Sequence, residues 1–232
     1  MEKVSLTEDL QRLPVGVSCI DNVMGGGLEP KVITELFGEG GSGKTNLSMQ
    51  FTISALKSGK AVIYLDTEGF STERFLQMCG NDRDIVANMM LYRIESLDDQ
   101  ELAIMRSAKM FEKNRKIGLM VVDSFTEYFR LEKSADYSAR IAGFQKQLNM
   151  LSSIALKNGI PVLMTNQIYH NVESNQLQPF GGFIIDHVMK AIFKLEKVGM
   201  NKRKISVSKH RSLPEGNEGE FRIIDYGITC EG

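Results

Sequence analysis

Eight residues, Gly38-Glu39-Gly40-Gly41-Ser42-Gly43-Lys44-Thr45, restrict the fold more tightly than anything else in the sequence. They fit the spacing G-x-x-x-x-G-K-[ST]. A short apolar run, VITELF (32–37), precedes them, and a helical pattern from Thr45 to about Lys57, closed by Gly59, follows. In that strand-loop-helix setting the glycines let successive backbone N–H groups turn around phosphate oxygens, and the helix N-terminus adds its positive dipole. Lys44 can reach the β- and γ-phosphates, and Thr45 can offer its hydroxyl to magnesium. The segment therefore predicts ATP and Mg2+ as ligands, with residues Gly38, Glu39, Gly40, Gly41, Ser42, Gly43, Lys44, Thr45 and Asn46 around the nucleotide.

The rest of the chain agrees with such a loop. Apolar runs alternate with helical segments: AVIYLD (61–66), a short helix near 72–79, a strand near 89–94, and a helix near 97–113 that Ser96 opens as N-cap with Asp99 three residues on. IGLMVVD (117–123), a long helix near 136–158 and IPVLMTN (160–166) come next. Ile141, Phe144, Leu148, Leu151 and Ala155 give the long helix one apolar face. Near-continuous apolar strands separated by helices predict an α/β fold with a mostly parallel sheet flanked by helices. Past residue 166 the pattern changes. Residues 167–182 read as a polar loop, and MKAIFKLEKV, KISVSK and EFRIID read as antiparallel strands extending the sheet. The 232 residues carry no linker or repeat, so one domain is expected, with 1–31 as a short lead ending in the turn MGGGLEP.

A phosphate loop needs a second strand that ends in a carboxylate for magnesium, and LMVVD supplies Asp123. Thr45 and Asp123 are thus the expected metal ligands. Hydrolysis requires a further carboxylate to deprotonate water, and LDTEG places Glu68 just past another strand end, with Asp66 as the competing choice. Gln167, where strand 160–165 opens into the loop, can sense the γ-phosphate with its amide; satisfying backbone groups at a loop start is its other reading.

The 28 Lys and Arg nearly balance the 29 Asp and Glu, for a formal charge of −1. No stretch nears the roughly 18 apolar residues that a bilayer span requires, and the N-terminus lacks an apolar signal region, so a cytoplasmic protein is expected. Cys19, Cys79 and Cys230 stand far apart without a CxxC, which argues against a disulfide framework or zinc site and fits a reducing interior. The charge is unevenly spread. Residues 187–211 hold eight cations (Lys190, Lys194, Lys197, Lys202, Arg203, Lys204, Lys209, Arg211) against Glu196, a net +7, while 212–232 hold five acids against Arg222. A local +7 can release counterions from a nucleic-acid backbone; a solvated strand face is the blander reading.

GGGLEPKVITELFGEGGSGKT, LDTEG with Glu73-Arg74, LMVVDS, MTNQ, PFGG and LPEG, in this order, resemble the ATPase core of the RecA/RadA recombinase family over nearly all of residues 12–230. Within it the chain is most similar to the short archaeal paralogues of RadA: it has no room for a helix-hairpin-helix domain, shows no F-x-x-A linker, and carries Lys209-His210-Arg211 before LPEG. The resemblance implies a RecA-type core, with Lys44 and Thr45 on phosphate and magnesium, Asp123 as the second carboxylate, Glu68 as general base, Gln167 as γ-phosphate sensor and Arg74 stacked on adenine. It implies that Lys209 and Arg211 act in trans on a neighbouring subunit's nucleotide in a homo-oligomer.

Two loops hold single-stranded DNA in such cores. The first here is about 125–140, with Arg130, Lys133, Tyr137 and Arg140. The second is 168–180, which offers His170, Tyr169 and amides; residues 158–189 contain no Lys or Arg, so it departs from a strand-exchange loop. Lys202, Arg203 and Lys204 are the alternative DNA contact. The expected function is an ATP- and DNA-binding protein of homologous recombination and DNA repair. It would be an accessory to a RadA-type recombinase with weak conversion of ATP to ADP and phosphate. The resemblance also suggests a Holliday junction resolvase as partner. A KaiC-like ring ATPase without DNA function and a self-sufficient RadA-like strand-exchange motor are the alternatives.

Overall fold

The computed structural model describes residues 11–113, 116–131, 137–171, 176–179, 185 and 188–230. A short helix α1 (Ser18–Val23) leads into β1 (Ile33–Gly38), the phosphate loop and α2 (Lys44–Lys57). There follow β2 (Ala61–Asp66), α3 (Thr72–Met78), α4 (Arg83–Val86), β3 (Met89–Arg93), α5 (Leu97–Lys113) and β4 (Ile117–Asp123). After α6 (Glu127–Leu131) and α7 (Tyr137–Asn158) come β5 (Val162–Asn171), β6 (Gln176–Pro179), β7 (Ala191–Lys197), β8 (Lys202–His210), β9 (Glu218–Ile224) and β10 (Gly227–Cys230).

The described strands form a single sheet ordered β10-β9-β8-β7-β1-β5-β4-β2-β3, with β6 paired to β5. From β7 to β3 the pairs are parallel; β7 through β10 run antiparallel. Parallel strands buried on both faces must be apolar on both, and β2 illustrates how one run serves two cores. Its Val62 and Tyr64 pack with Leu47 and Phe51 of α2, while Ile63 and Leu65 face Ile104 of α5 and Phe144, Leu148 and Leu151 of α7. The expected N-cap holds: Ser96 Oγ accepts from the Asp99 amide at 3.1 Å. Among the described residues, no helix is long and apolar enough to cross a membrane.

The structure corrects the sequence reading in three places. The stretch after Asp123 is partly helical, because Phe125 in the turn before α6 and Phe129 on α6 close on Phe144 of α7, the three ring centroids lying 5.0 to 5.5 Å apart, and burying those rings favours a helical turn. The loop expected from residue 167 begins as strand: β5 continues to Asn171 and pairs antiparallel with β6, Ile168 opposite Pro179 and Asn171 opposite Gln176. Backbone pairing beyond the core needs no apolar alternation, so polar composition concealed this hairpin. Lastly, Cys19 and Cys230 form a disulfide, with Cα atoms 5.7 Å apart across a sequence separation of 211. Sheet closure brings α1 against the last strand and so joins cysteines that look remote along the chain. Cys79 is buried and free.

Candidate nucleotide site

Four neighbouring strands deliver the site. Register places Gly38 of β1 beside Gln167 of β5, and Asp66 of β2 beside Asp123 of β4, all at carboxyl ends. Ligands of open parallel sheets sit at this edge. The phosphate loop crosses above it, and Gly41 (φ +76) and Gly43 (φ +100) take left-handed conformations that an L side chain resists. At Gly43 a Cβ would also come within 3.0 Å of Ile223 Cδ1.

Lys44 is buried, and its Nζ donates to the carbonyls of Gly38 at 2.8 Å and Glu39 at 2.9 Å. Burial pushes its pKa down, and Glu68 and Asp123 oppose that. Asp123 is buried too. Its Oδ2 accepts from Tyr64 Oη at 2.7 Å and its Oδ1 from Thr165 Oγ1 at 2.5 Å, and Thr45 bonds to it as well. Desolvation raises its pKa, and the three hydroxyl donors pull the other way. Thr45 and Asp123 thus present one hydroxyl and one carboxylate side by side, a hard-oxygen pair suited to Mg2+. Ser42 Oγ is buried and has no hydrogen-bond partner among the described residues, as a donor intended for a phosphate oxygen would be. The donor set fits a magnesium nucleotide.

The two carboxylates at the end of β2 separate by function. Asp66 accepts from the backbone amides of Glu68, Gly69 and Phe70 at 3.3, 3.0 and 2.7 Å, so its oxygens hold the turn. Glu68 is exposed, and its Oε1 accepts from Gln167 Nε2 at 2.6 Å. Gln167 Oε1 in turn accepts from Arg130 Nη1 at 3.0 Å, and the same Nη1 lies 3.4 Å from Glu127 Oε2. The expected base, sensor and DNA-contacting arginine are therefore one hydrogen-bonded line from the nucleotide site to α6.

Arg74 is half-buried beside Asn46 at the start of α2. Its Nε donates to Asn46 Oδ1 at 2.9 Å, and Nη1 and Nη2 donate to the carbonyls of Asp225 and Ile224 at 2.6 and 2.8 Å. Lys209 and Arg211 lie at the opposite end of the sheet, His210 pairing with Ala191 at the start of β7, and Arg211 is ion-paired with the buried Glu29. They belong to a different surface from their own chain's phosphate loop. Arg140 is on the first turn of α7, and Lys133 lies outside the described residues.

The +7 segment is largely compensated. Lys202 pairs with Glu220 at 2.6 Å, Lys204 with Glu218 at 3.2 Å and Glu196 at 3.6 Å, and Lys194 with Glu196 at 2.8 Å. Hydrogen bonding to Lys194 holds the Glu196 pKa down, and hydrogen bonding to Glu218 holds that of Lys204 up. Arg203 points elsewhere, into the nucleotide cavity of about 290 Å³ that Gly40, Gly41, Gly43, Lys44, Glu68 and Gln167 line. Larger hollows, about 530 Å³ on the outer face of α7 and about 540 Å³ at the opposite end of the sheet, contain no phosphate-cradling loop. Sequence reasoning missed Tyr64 and Thr165 as partners of Asp123 and Arg203 as a lining residue. A tyrosine inside an apolar strand was the one readable signal, because a buried phenol needs a hydrogen-bond partner.

The Rad51 family model matches residues 7–231. A protein of Thermoplasma acidophilum named "DNA repair and recombination protein RadB" is 53% identical over 232 residues, all of both chains. A namesake from Methanococcoides burtonii is 41% identical over 212 residues, 90% of this chain and 93% of that one. Among solved structures, one titled "Crystal structure of the RadB recombinase" superposes with a TM-score of 0.81 at 31% identity, covering 95% of this chain and 100% of the other. On sequence and on fold together, this chain belongs to the Rad51 family, as one of its RadB-like paralogues.

Proposed function

We propose that the protein is an ATP- and DNA-binding member of the family acting in DNA repair and homologous recombination. It would work in the cytoplasm, as one RecA-type ATPase domain and an accessory to a RadA-type recombinase. The convergence of Lys44, Thr45, Asp123, Glu68 and Gln167 on one strand edge carries this reading. Magnesium held by Thr45 and Asp123 would supply charge neutralisation at the phosphates. The chain's own residues do the rest: Lys44 binds the phosphate chain, Glu68 accepts the proton of a water, and Gln167 orients against the γ-phosphate. Turnover is expected to be weak, because Glu68 is capped by Gln167 in the chain by itself and Lys209 and Arg211 can serve only a neighbour's site.

For DNA, the α6–α7 segment with Arg130, Lys133 and Arg140 is the better-supported contact, since Lys202 and Lys204 are ion-paired within the chain. The RadA-type recombinase and the Holliday junction resolvase rest on family resemblance. The test is nucleotide and DNA binding by the wild type and Lys44→Ala across a salt series. Loss of ATP binding in the variant, with salt-sensitive DNA binding in the wild type, is expected. Retained ATP affinity in Lys44→Ala overturns the nucleotide site, and absence of DNA binding at low salt overturns the recombination role.

A further inference from the structure

Arg203 belongs by sequence to a basic triplet, yet its side chain leaves the triplet's surface. Lys202 and Lys204 reach diagonally across to Glu220 and Glu218 on β9. Strand alternation sends Arg203 to the other face, and the register explains where it arrives: Gly38 is opposite Leu195 on β7, and Lys197, two residues on, is opposite Arg203. The guanidinium is thereby carried to the loop that follows Gly38.

Its contacts are specific. Nε donates to the carbonyl of Gly41 at 2.9 Å, and Nη1 donates to the carbonyls of Lys202 at 2.9 Å and Gly199 at 3.3 Å. The aliphatic stem lies 3.7 Å from where a Gly43 Cβ would stand, next to Ile223. One planar cation thus ties the crown of the phosphate loop to the β7–β8 turn. Two backbone hydrogen bonds also close the turn, Val198 N–H to the Lys202 carbonyl at 3.2 Å and Lys202 N–H to the Gly199 carbonyl at 3.3 Å, so the anchor is itself braced. Among the described residues Nη2 makes no hydrogen bond, and the side chain lines the cavity with Gly40, Lys44, Glu68 and Gln167.

A glycine-rich crown is the part of the site that most needs such an anchor. Residues 40, 41 and 43 are all glycine, two of them at positive φ, and an untethered crown would sample many conformations that turn its amides away from a phosphate. Holding the Gly41 carbonyl fixes the peptide plane it shares with the Ser42 N–H, which donates to the Glu39 carbonyl at 3.2 Å and so keeps the crown in one turn. A lysine could carry the charge, but a single ammonium has no fork with which to bridge the loop and the turn together.

We propose that Arg203 is a positioning residue of the nucleotide site, acting in cis through Gly41 to hold the phosphate loop open for the polyphosphate of a nucleoside di- or triphosphate. The β7–β8 turn is then part of the nucleotide site and not of a DNA-binding surface. The proposal rests on the phosphate-loop reading above.

The test compares wild type, Arg203→Gln, Arg203→Lys and Lys202→Gln as full chains, with fluorescent ADP and ATP analogues and with adenosine by saturation-transfer NMR. Arg203→Gln is expected to weaken both phosphorylated ligands about tenfold, as loss of a charge-assisted anchor would. Its adenosine binding should stay within about twofold, Arg203→Lys should recover little of the loss, and Lys202→Gln should match the wild type. Unchanged ADP affinity in Arg203→Gln overturns the proposal. So does an equal loss for adenosine, which marks general damage, or full recovery by Arg203→Lys, which marks a point charge. Loss of DNA affinity with nucleotide affinity intact would return Arg203 to the DNA surface. Lys44→Ala run alongside separates the two readings: if it keeps ADP affinity the phosphate loop is misassigned, whereas if it loses affinity and Arg203→Gln does not, only the positioning role fails.

Discussion

Replacing Arg130 by alanine should raise DNA-free ATP turnover, a direction opposite to that of a simple DNA-contact arginine. The reason lies in the line Arg130 Nη1 to Gln167 Oε1 at 3.0 Å and Gln167 Nε2 to Glu68 Oε1 at 2.6 Å. Glu68 can take a proton from water only through an oxygen free to meet it, and the Gln167 amide covers one of the two. Arg130 fixes that amide by holding its other end. A hydrogen bond to a charged group contributes about 1.5 kcal/mol, and with the Arg130 side chain 32% exposed the lower end of the range applies. Its loss should increase the population of uncovered Glu68 by about tenfold. Single-turnover hydrolysis at saturating ATP, without and with single-stranded DNA, measures this. Arg130→Ala should run that much faster without DNA, and the stimulation by DNA should shrink, because a DNA phosphate that engages Arg130 in the wild type does what the mutation does. A DNA-free rate that is unchanged or lower, in a variant that still binds ATP, refutes the coupling.

Glu68→Gln should bind ATP as the wild type does but lose turnover; persistent hydrolysis would move the base away from Glu68, although the three backbone bonds on Asp66 leave that residue a poor substitute. Cys230→Ser opens a disulfide spanning 211 residues, and loop-closure entropy sets a ceiling of about 5 kcal/mol on the lost stability; a denaturant midpoint that reductant does not move, with free thiols by mass, would count against the bond. Asp123 is buried with its pKa raised, so the ligand-free fold binds a proton more readily than the unfolded chain. Its stability is higher at the acid side of that titration and falls as pH rises from the ordinary carboxylate value toward the raised one, while metal affinity rises over the same window. Asp123→Asn should flatten this part of the stability profile and abolish the magnesium dependence of ATP binding; an unaltered profile would mean that another group sets it.

Most of the sheet was readable because its strands obey one rule. A run such as AVIYLD, apolar at every position, can be stable only where both faces are covered, and helices between such runs supply the cover. The motif at residues 38–45 then fixed which strand end bears the site. The missed parts follow other rules. Segment 167–171 pairs through its backbone with β6, a contact that leaves no hydrophobic period. α6 is held by packing of Phe125 and Phe129 against Phe144, fifteen or more positions later, which a local window does not include. The disulfide depends on where the last strand lies relative to α1, and that position exists only once β7 to β10 have turned back on one another.

Charge shows the same difference between chain and fold. Counted along the sequence, +7 over residues 187–211 followed by an acidic tail looks like a basic surface beside an acidic one. Antiparallel pairing of β8 with β9 superimposes the two. Lys204 falls opposite Glu220, and on that face Lys202 and Lys204 each meet a carboxylate two positions along the partner strand. The field that would have drawn a DNA backbone is therefore largely cancelled within a few ångströms, well inside the Debye length of about 8 Å at physiological salt. The one member whose side chain alternates to the opposite face escapes the cancellation, and there it meets the phosphate loop. A run of three cations in a strand is two residues of one surface and one of another, so its net charge cannot be assigned to a single ligand until the register is known.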